Sequence, residues 1–129
     1  MTSEPQSATL RLKHAEQALR RAVGPVLVAE ELTFEQWQVL AALLERPGLR
    51  MTDLAEFAVL PAATLTRHVD KLVERALVIR RIDPDDRRRA VVALSRLGES
   101  LALRLRDLEP RAAAPGDRPA TVASGDRDL

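Results

Sequence analysis

The sequence predicts a mainly α-helical domain carrying one small β-hairpin, and three observations lead to that fold class. Apolar residues recur at spacings of three and four over several stretches between residues 8 and 108, as in helices that bury one stripe. Aromatic residues make up only 2% of the chain, with Trp37, Phe34 and Phe57 as the whole inventory, so the core must be aliphatic and alanine-rich, as helical packing favours. Two short apolar runs, 78–82 and 90–94, break the helical period and enclose seven residues rich in charge. A chain of 129 residues can bury a modest core in one domain, expected over residues 8–110 between a flexible N-terminus at 1–7 and a tail.

The first helix is expected over residues 8–29, where Leu10, Leu12, Ala15, Leu19, Ala22, Val23, Val26 and Leu27 form an apolar stripe. Gly24-Pro25 predicts a kink or break in it, because proline lacks a backbone donor and crowds the preceding turn. Thr33 is a suitable N-cap for a second helix over about 34–45, with Trp37, Leu40, Ala41 and Leu44 on one face, ended by Pro47-Gly48. Thr52 is expected to cap a short third helix from Asp53 to Ala58, whose Leu54, Phe57 and Ala58 turn inward. After Val59-Leu60-Pro61, a fourth helix over 62–75 buries Leu65, Val69, Leu72 and Val73 and turns Thr64, Arg67, His68, Lys71 and Arg75 outward, with Pro61 suited to its entry. The runs at Val78–Ile82 and Ala90–Leu94 then pair as a hairpin with a long charged tip. A fifth helix starts near Arg96, carries Leu97, Leu101, Leu105 and Leu108, and stops at Pro110. Residues 111–129 have no periodicity and are expected to be a disordered tail.

Composition excludes several function classes. Without cysteine the chain has no disulfide framework, thiolate metal site or thiol sensor. His14 and His68 are isolated, so neither metal nor cofactor is expected. A glycine-rich phosphate loop is absent, and Ser95, Ser100 and Ser124 have no histidine placed to activate them, so an enzyme is not expected. No stretch of 18 apolar residues and no signal-like start occur, so the protein is expected to be soluble, cytoplasmic and off the membrane. The net charge of +1 hides a local excess: between residues 67 and 89, Arg67, Lys71, Arg75, Arg80, Arg81 and the run Arg87, Arg88, Arg89 outnumber the acids Asp70, Glu74, Asp83, Asp85 and Asp86. A local basic surface on a near-neutral chain suits an anionic polymer.

Helix, tight turn, helix and basic hairpin, in that order, make a winged helix-turn-helix with flanking N- and C-terminal helices. In such a unit the second helix enters the major groove, about 12 Å wide, with its N-terminal residues on base edges, while the first lies across it. Thr64, Thr66 and Arg67, with Ala62 and Ala63 at the helix start, are therefore the candidates to face bases. Lys71, Arg80, Arg81 and the start of the third helix around Thr52 are the candidates for phosphate contacts. The tip, with Asp86, Arg87 and Arg88, can reach a minor groove, whose negative potential attracts arginine where it is narrow.

The segments Leu32-Thr33-Phe34-Glu35-Gln36-Trp37, Met51-Thr52-Asp53-Leu54-Ala55-Glu56, Thr64-Leu65-Thr66-Arg67-His68-Val69-Asp70-Lys71-Leu72 and Asp83-Pro84-Asp85-Asp86-Arg87-Arg88-Arg89 closely resemble MarR-type (multiple antibiotic resistance) regulators, and the resemblance covers roughly residues 8–109. It implies a homodimer bound to a pseudo-palindromic site in double-stranded DNA, usually as a repressor, and released by a small aromatic or phenolic effector. Carried over by motif, Arg88 is the minor-groove arginine and Asp86 the carboxylate that orients it. Glycine is usual in that family where Glu31 and Ala76 stand, and Ala76 follows the fourth helix at a place that favours a left-handed conformation. The family also continues past its fifth helix into another dimer-forming helix, whereas Pro110 and the tail stand here, so a shortened dimerisation region and a weak dimer are expected.

Blander readings stand beside these. Arg67 and Lys71 taken singly are ordinary solvated charges, the arginine run an ordinary solvated loop, and Trp37 a core residue as readily as a pocket wall. The rival function is a winged helix used for protein–protein contact through Asp70, Glu74 and Asp83, or a degenerate regulator without a stable dimer.

Overall fold

The computed structural model describes residues 4–110, so the expected tail lies outside the described residues. Its elements run α1 (Ala8–Ala29), α2 (Phe34–Glu45), α3 (Met51–Ala58), α4 (Ala62–Glu74), β1 (Val78–Ile82), β2 (Ala90–Leu94) and α5 (Arg96–Leu108). This is the predicted winged helix-turn-helix between flanking helices, mainly helical with one antiparallel hairpin in the register Val78↔Leu94 to Ile82↔Ala90.

α2 is the centre of the packing, touching α1, α3, α4, α5 and β2. The predicted single apolar face is therefore too narrow: besides Trp37 and Leu40, the helix buries Gln36, Val39, Ala42 and Leu43, while Ala41 and Leu44 are only half-buried. Trp37, Leu40, Leu43, Leu54, Leu65, Leu72 and Leu105 are the largest side chains fully out of water, with β1 and β2 adding Val78 and Val92. Burial at that level is worth about 1.5–3 kcal/mol for each large aliphatic side chain. Thr33 and Gln36 form a reciprocal capping box that fixes where α2 begins.

Two local expectations need correction. Of the kink or break expected at Gly24-Pro25, the break does not occur, since α1 keeps its expected span and continues through Pro25 to Ala29. Gly24 has no Cβ to meet the proline ring, Pro25 is exposed, on the side where a carbonyl without its helical donor can meet water, and Val23 and Leu27 are buried. Thr52 is not the cap of α3: that helix begins one residue before it, at Met51, with Arg50 in the cap position and no side-chain cap bond. The start is fixed instead by Leu49, whose backbone pairs in both directions with Val92 of β2. Only the C-terminal half of the α1 stripe meets the core, leaving Leu10 and Leu12 51% and 67% exposed.

Candidate nucleic-acid interface

α4 buries Leu65, Val69 and Leu72 and leaves Ala62, Ala63, Thr66, Arg67, Asp70 and Lys71 exposed, with Thr64 half-buried at its start. Its approach is set by the turn, where Val59 adopts φ 62° and ψ 53° and Leu60 N–H donates to the Ala55 carbonyl. Gln38 reaches from α2 to donate to the Ala58 carbonyl at 2.9 Å, satisfying an orphan group at the end of α3. Thr66 hydroxyl donates back to the Ala62 carbonyl at 3.0 Å, so its remaining capacity toward a partner is as an acceptor.

The hairpin is tied to this helix by an ion pair between Arg80 on β1 and Asp70 on the exposed face of α4. Both groups are largely exposed, so the pair contributes little stability. β1 is set beside α4 by the short connection through Leu77 and Val78, both buried in the core that α4 shares, and the pair bridges the two exposed faces. At the tip, Asp86 Oδ1 accepts from Arg88 N–H at 3.1 Å and from Arg88 Nε at 3.3 Å, while Oδ2 lies 3.3 Å from Arg89 Nε. The Arg88 side chain remains 90% exposed, an oriented guanidinium presented to solvent. The family resemblance pairs Asp86 with Arg88 and gives no sign that the same carboxylate holds Arg89.

Asp83 departs from its expected place on the surface. It is 5% exposed, with Oδ1 accepting from Asp85 N–H at 2.9 Å and Oδ2 lying 3.0 Å from both Nε and Nη2 of Arg50. The Asp85 amide, reinforced by Arg50 and the Asp86 amide against the opposing effect of burial, holds the Asp83 carboxyl below the usual aspartate range. Arg75 departs as well: exposed at the end of α4, it donates to the Glu30 and Glu31 carbonyls and so anchors the α1–α2 turn. Spacing gives no sign of either contact. Of the predicted cations, Arg67, Lys71, Arg75, Arg81 and Arg87 have no ion-pair partner among the described residues. Arg81 lines, with Gly48, Arg50, Asp53 and Asp85, a groove between the start of α3 and the wing.

Trp37 is a core residue, 2% exposed, whose Nε1 donates to Glu109 Oε2 at 3.1 Å. Burial pushes the Glu109 carboxyl up, against the lowering effect of that bond. Among the described residues no group of three His, Cys, Asp or Glu side chains is placed to hold a metal ion, and no helix is long and apolar enough to cross a membrane.

The sequence pattern of the MarR family matches residues 31–89, from the α1–α2 turn to the end of the wing loop. HTH-type transcriptional regulator FarR of Neisseria gonorrhoeae is 31% identical over 99 residues, covering 77% of this chain and 68% of that protein. The chain belongs to the MarR family. The homoprotocatechuate degradative operon repressor of Escherichia coli is 28% identical over 95 residues, 74% of this chain and 64% of its own length. Curated MarR-family relatives are thus covered over about half to two thirds of their length, from 53% to 68% in the first three. The crystal structure of NadR in complex with 4-hydroxyphenylacetate superposes with a TM-score of 0.70 at 28% identity, over 84% of this chain and 78% of that one. Both positions where MarR-family glycines were expected do take the left-handed conformation, Glu31 at φ 56° and Ala76 at φ 61°.

Proposed function

We propose that this chain is a DNA-binding transcriptional regulator, a ligand-responsive repressor that binds a pseudo-palindromic operator as a homodimer in the cytoplasm. The observation that carries the reading is a composite surface. An exposed polar and basic helix face, with Thr66, Arg67 and Lys71, is tied through Asp70–Arg80 to a hairpin whose tip presents Arg88 held by Asp86. Ala62, Ala63, Thr64, Thr66 and Arg67 face base edges in the major groove, Arg88 enters the adjoining minor groove, and Thr52, Lys71, Arg80, Arg81 and Arg87 meet phosphates. Repression is supported by a relative named as an operon repressor, and a small phenolic effector by the 4-hydroxyphenylacetate bound to NadR. Homodimerisation is supported by the apolar side chains left exposed on the flanking helices, Leu10 and Leu12 of α1 and Leu97, Leu103 and Leu108 of α5. The protein–protein reading loses support because Asp83 is turned inward and Asp70 is paired.

Selection of bound sequences from a pool of random duplex DNA tests the proposal. Enrichment of a two-fold symmetric sequence, with half-site centres about one helical turn apart, is the expected outcome. A pool that stays random after repeated rounds would overturn it.

A further inference from the structure

We propose that Arg50 is a positioning residue for the wing, holding the loop that carries Arg88 in place from the start of α3. The inference rests on the DNA-binding reading of the wing and extends it to a residue that the recognition surface does not include.

Asp83 is where the geometry converges. Its backbone N–H donates to the Arg89 carbonyl at 2.8 Å and its own carbonyl accepts from Asp86 N–H at 3.3 Å, so it closes both ends of the tip loop. Its Oδ1 takes the Asp85 amide, and its Oδ2 takes the Arg50 fork. With a side chain only 7% exposed, Asp83 would be a buried unpaired charge without Arg50, and the loop built on it would have to open to hydrate it. From Asp83 the order passes to Asp86, whose N–H is bonded to it, and from the Asp86 carboxylate to Arg88. Arg50 is itself fixed, because its carbonyl accepts the Leu54 amide in the first turn of α3 and Leu49 pairs with Val92 in β2. Among the described residues this one-residue link is the polar tie between the start of α3 and a tip loop otherwise held by its strands and its own internal bonds.

Arg50 is also a half-exposed cation beside the groove with Arg81, so direct attraction to phosphate is the competing account. Two substitutions separate them. Arg50→Lys keeps the charge and loses the planar fork, and Asp83→Asn removes an acid while keeping an acceptor for the Asp85 amide. In the free protein both variants should exchange the Asp85, Asp86 and Arg89 amides about tenfold faster, with the Val69 and Leu72 amides unchanged. On a selected duplex both should bind about tenfold more weakly at matched salt. In an Arg88→Ala background neither should change affinity by more than about twofold. Unchanged exchange at the three loop amides, or tighter binding by Asp83→Asn, would overturn the proposal. Faster loop exchange in both variants, together with a parent that binds no duplex, would sink the DNA-binding reading and leave the anchor standing.

Discussion

Val59 is the most strained residue of the helix-turn-helix: β-branched, 79% exposed and held at φ 62°. A left-handed conformation costs an L-residue about 1–2 kcal/mol, which glycine avoids at some expense in unfolded-state entropy. Val59→Gly should therefore stabilise the fold by about 1 kcal/mol and raise Tm by about 4–8 °C in a calorimetric scan. A Tm equal to or below that of the parent would contradict the reading of strain. Gly98 is the opposite case, since a Cβ there would lie 1.9 Å from the Leu77 carbonyl oxygen, which is backbone and cannot move aside. Gly98→Ala should cost about 3 kcal/mol by overpacking, read as a lower urea midpoint. The special backbone at Ala76 was legible because MarR-type regulators usually carry glycine there and the position directly follows a helix. Val59 was not, because valine argues for extended structure and only the packing of α3 against α4 imposes the turn.

At the scale of the element, the wing combines two carboxylates with different tasks. Asp83 has a lowered folded-state pKa, so its contribution is present above the ordinary aspartate range and is lost as pH falls through the lowered value. The side-chain carboxyl carbon shift of Asp83 should accordingly stay unchanged down to the ordinary aspartate range and move only below it. Movement at higher pH would place the Asp83 charge outside the Arg50 pair. In the proposed DNA-binding reading Asp86 acts through Arg88, and there simple electrostatics and orientation predict opposite signs: removing an acid near DNA should tighten binding, whereas loss of the orienting partner should weaken it. Asp86→Ala is expected to weaken binding, and the double variant with Arg88→Ala to be little worse than Arg88→Ala alone. Tighter binding by Asp86→Ala at matched salt and unchanged Tm would reduce the tip to a nonspecific basic loop. Glu109 at the end of α5 runs the other way, with a raised pKa whose stabilising effect is present at low pH and lost as pH rises through the raised value. Glu109→Gln, which keeps an acceptor for Trp37, should be more stable than the parent at neutral pH by urea denaturation and should lose that advantage in acid.

For the whole molecule, the order of elements was readable because helix and strand periods differ and several helix boundaries carry a cap or a proline, as at Thr33, Pro47, Pro61 and Pro110. What escaped was contact between distant positions: Arg50 meets Asp83 across 33 residues and Arg75 meets Glu31 across 44, and periodicity reports only which face is apolar. The continuous α1 escaped for a related reason, because the cost of Pro25 depends on solvent exposure that spacing does not reveal. The exposed leucines of α1 and α5 predict a dimer in sedimentation at micromolar concentration. Monomer alone, with and without DNA, would force the paired half-site arrangement to be dropped. The central claim is that α4 reads sequence while the cations around it meet phosphate. The most direct test is the affinity of the parent and Arg67→Ala for a selected and a scrambled duplex across a series of salt concentrations. Log affinity of the parent should fall steeply and linearly with log salt on both duplexes, and Arg67→Ala should lose about 1–3 kcal/mol on the selected duplex and much less on the scrambled one. An equal loss on both would make Arg67 a phosphate contact, and a parent that binds the two duplexes alike with no salt dependence would contradict the account.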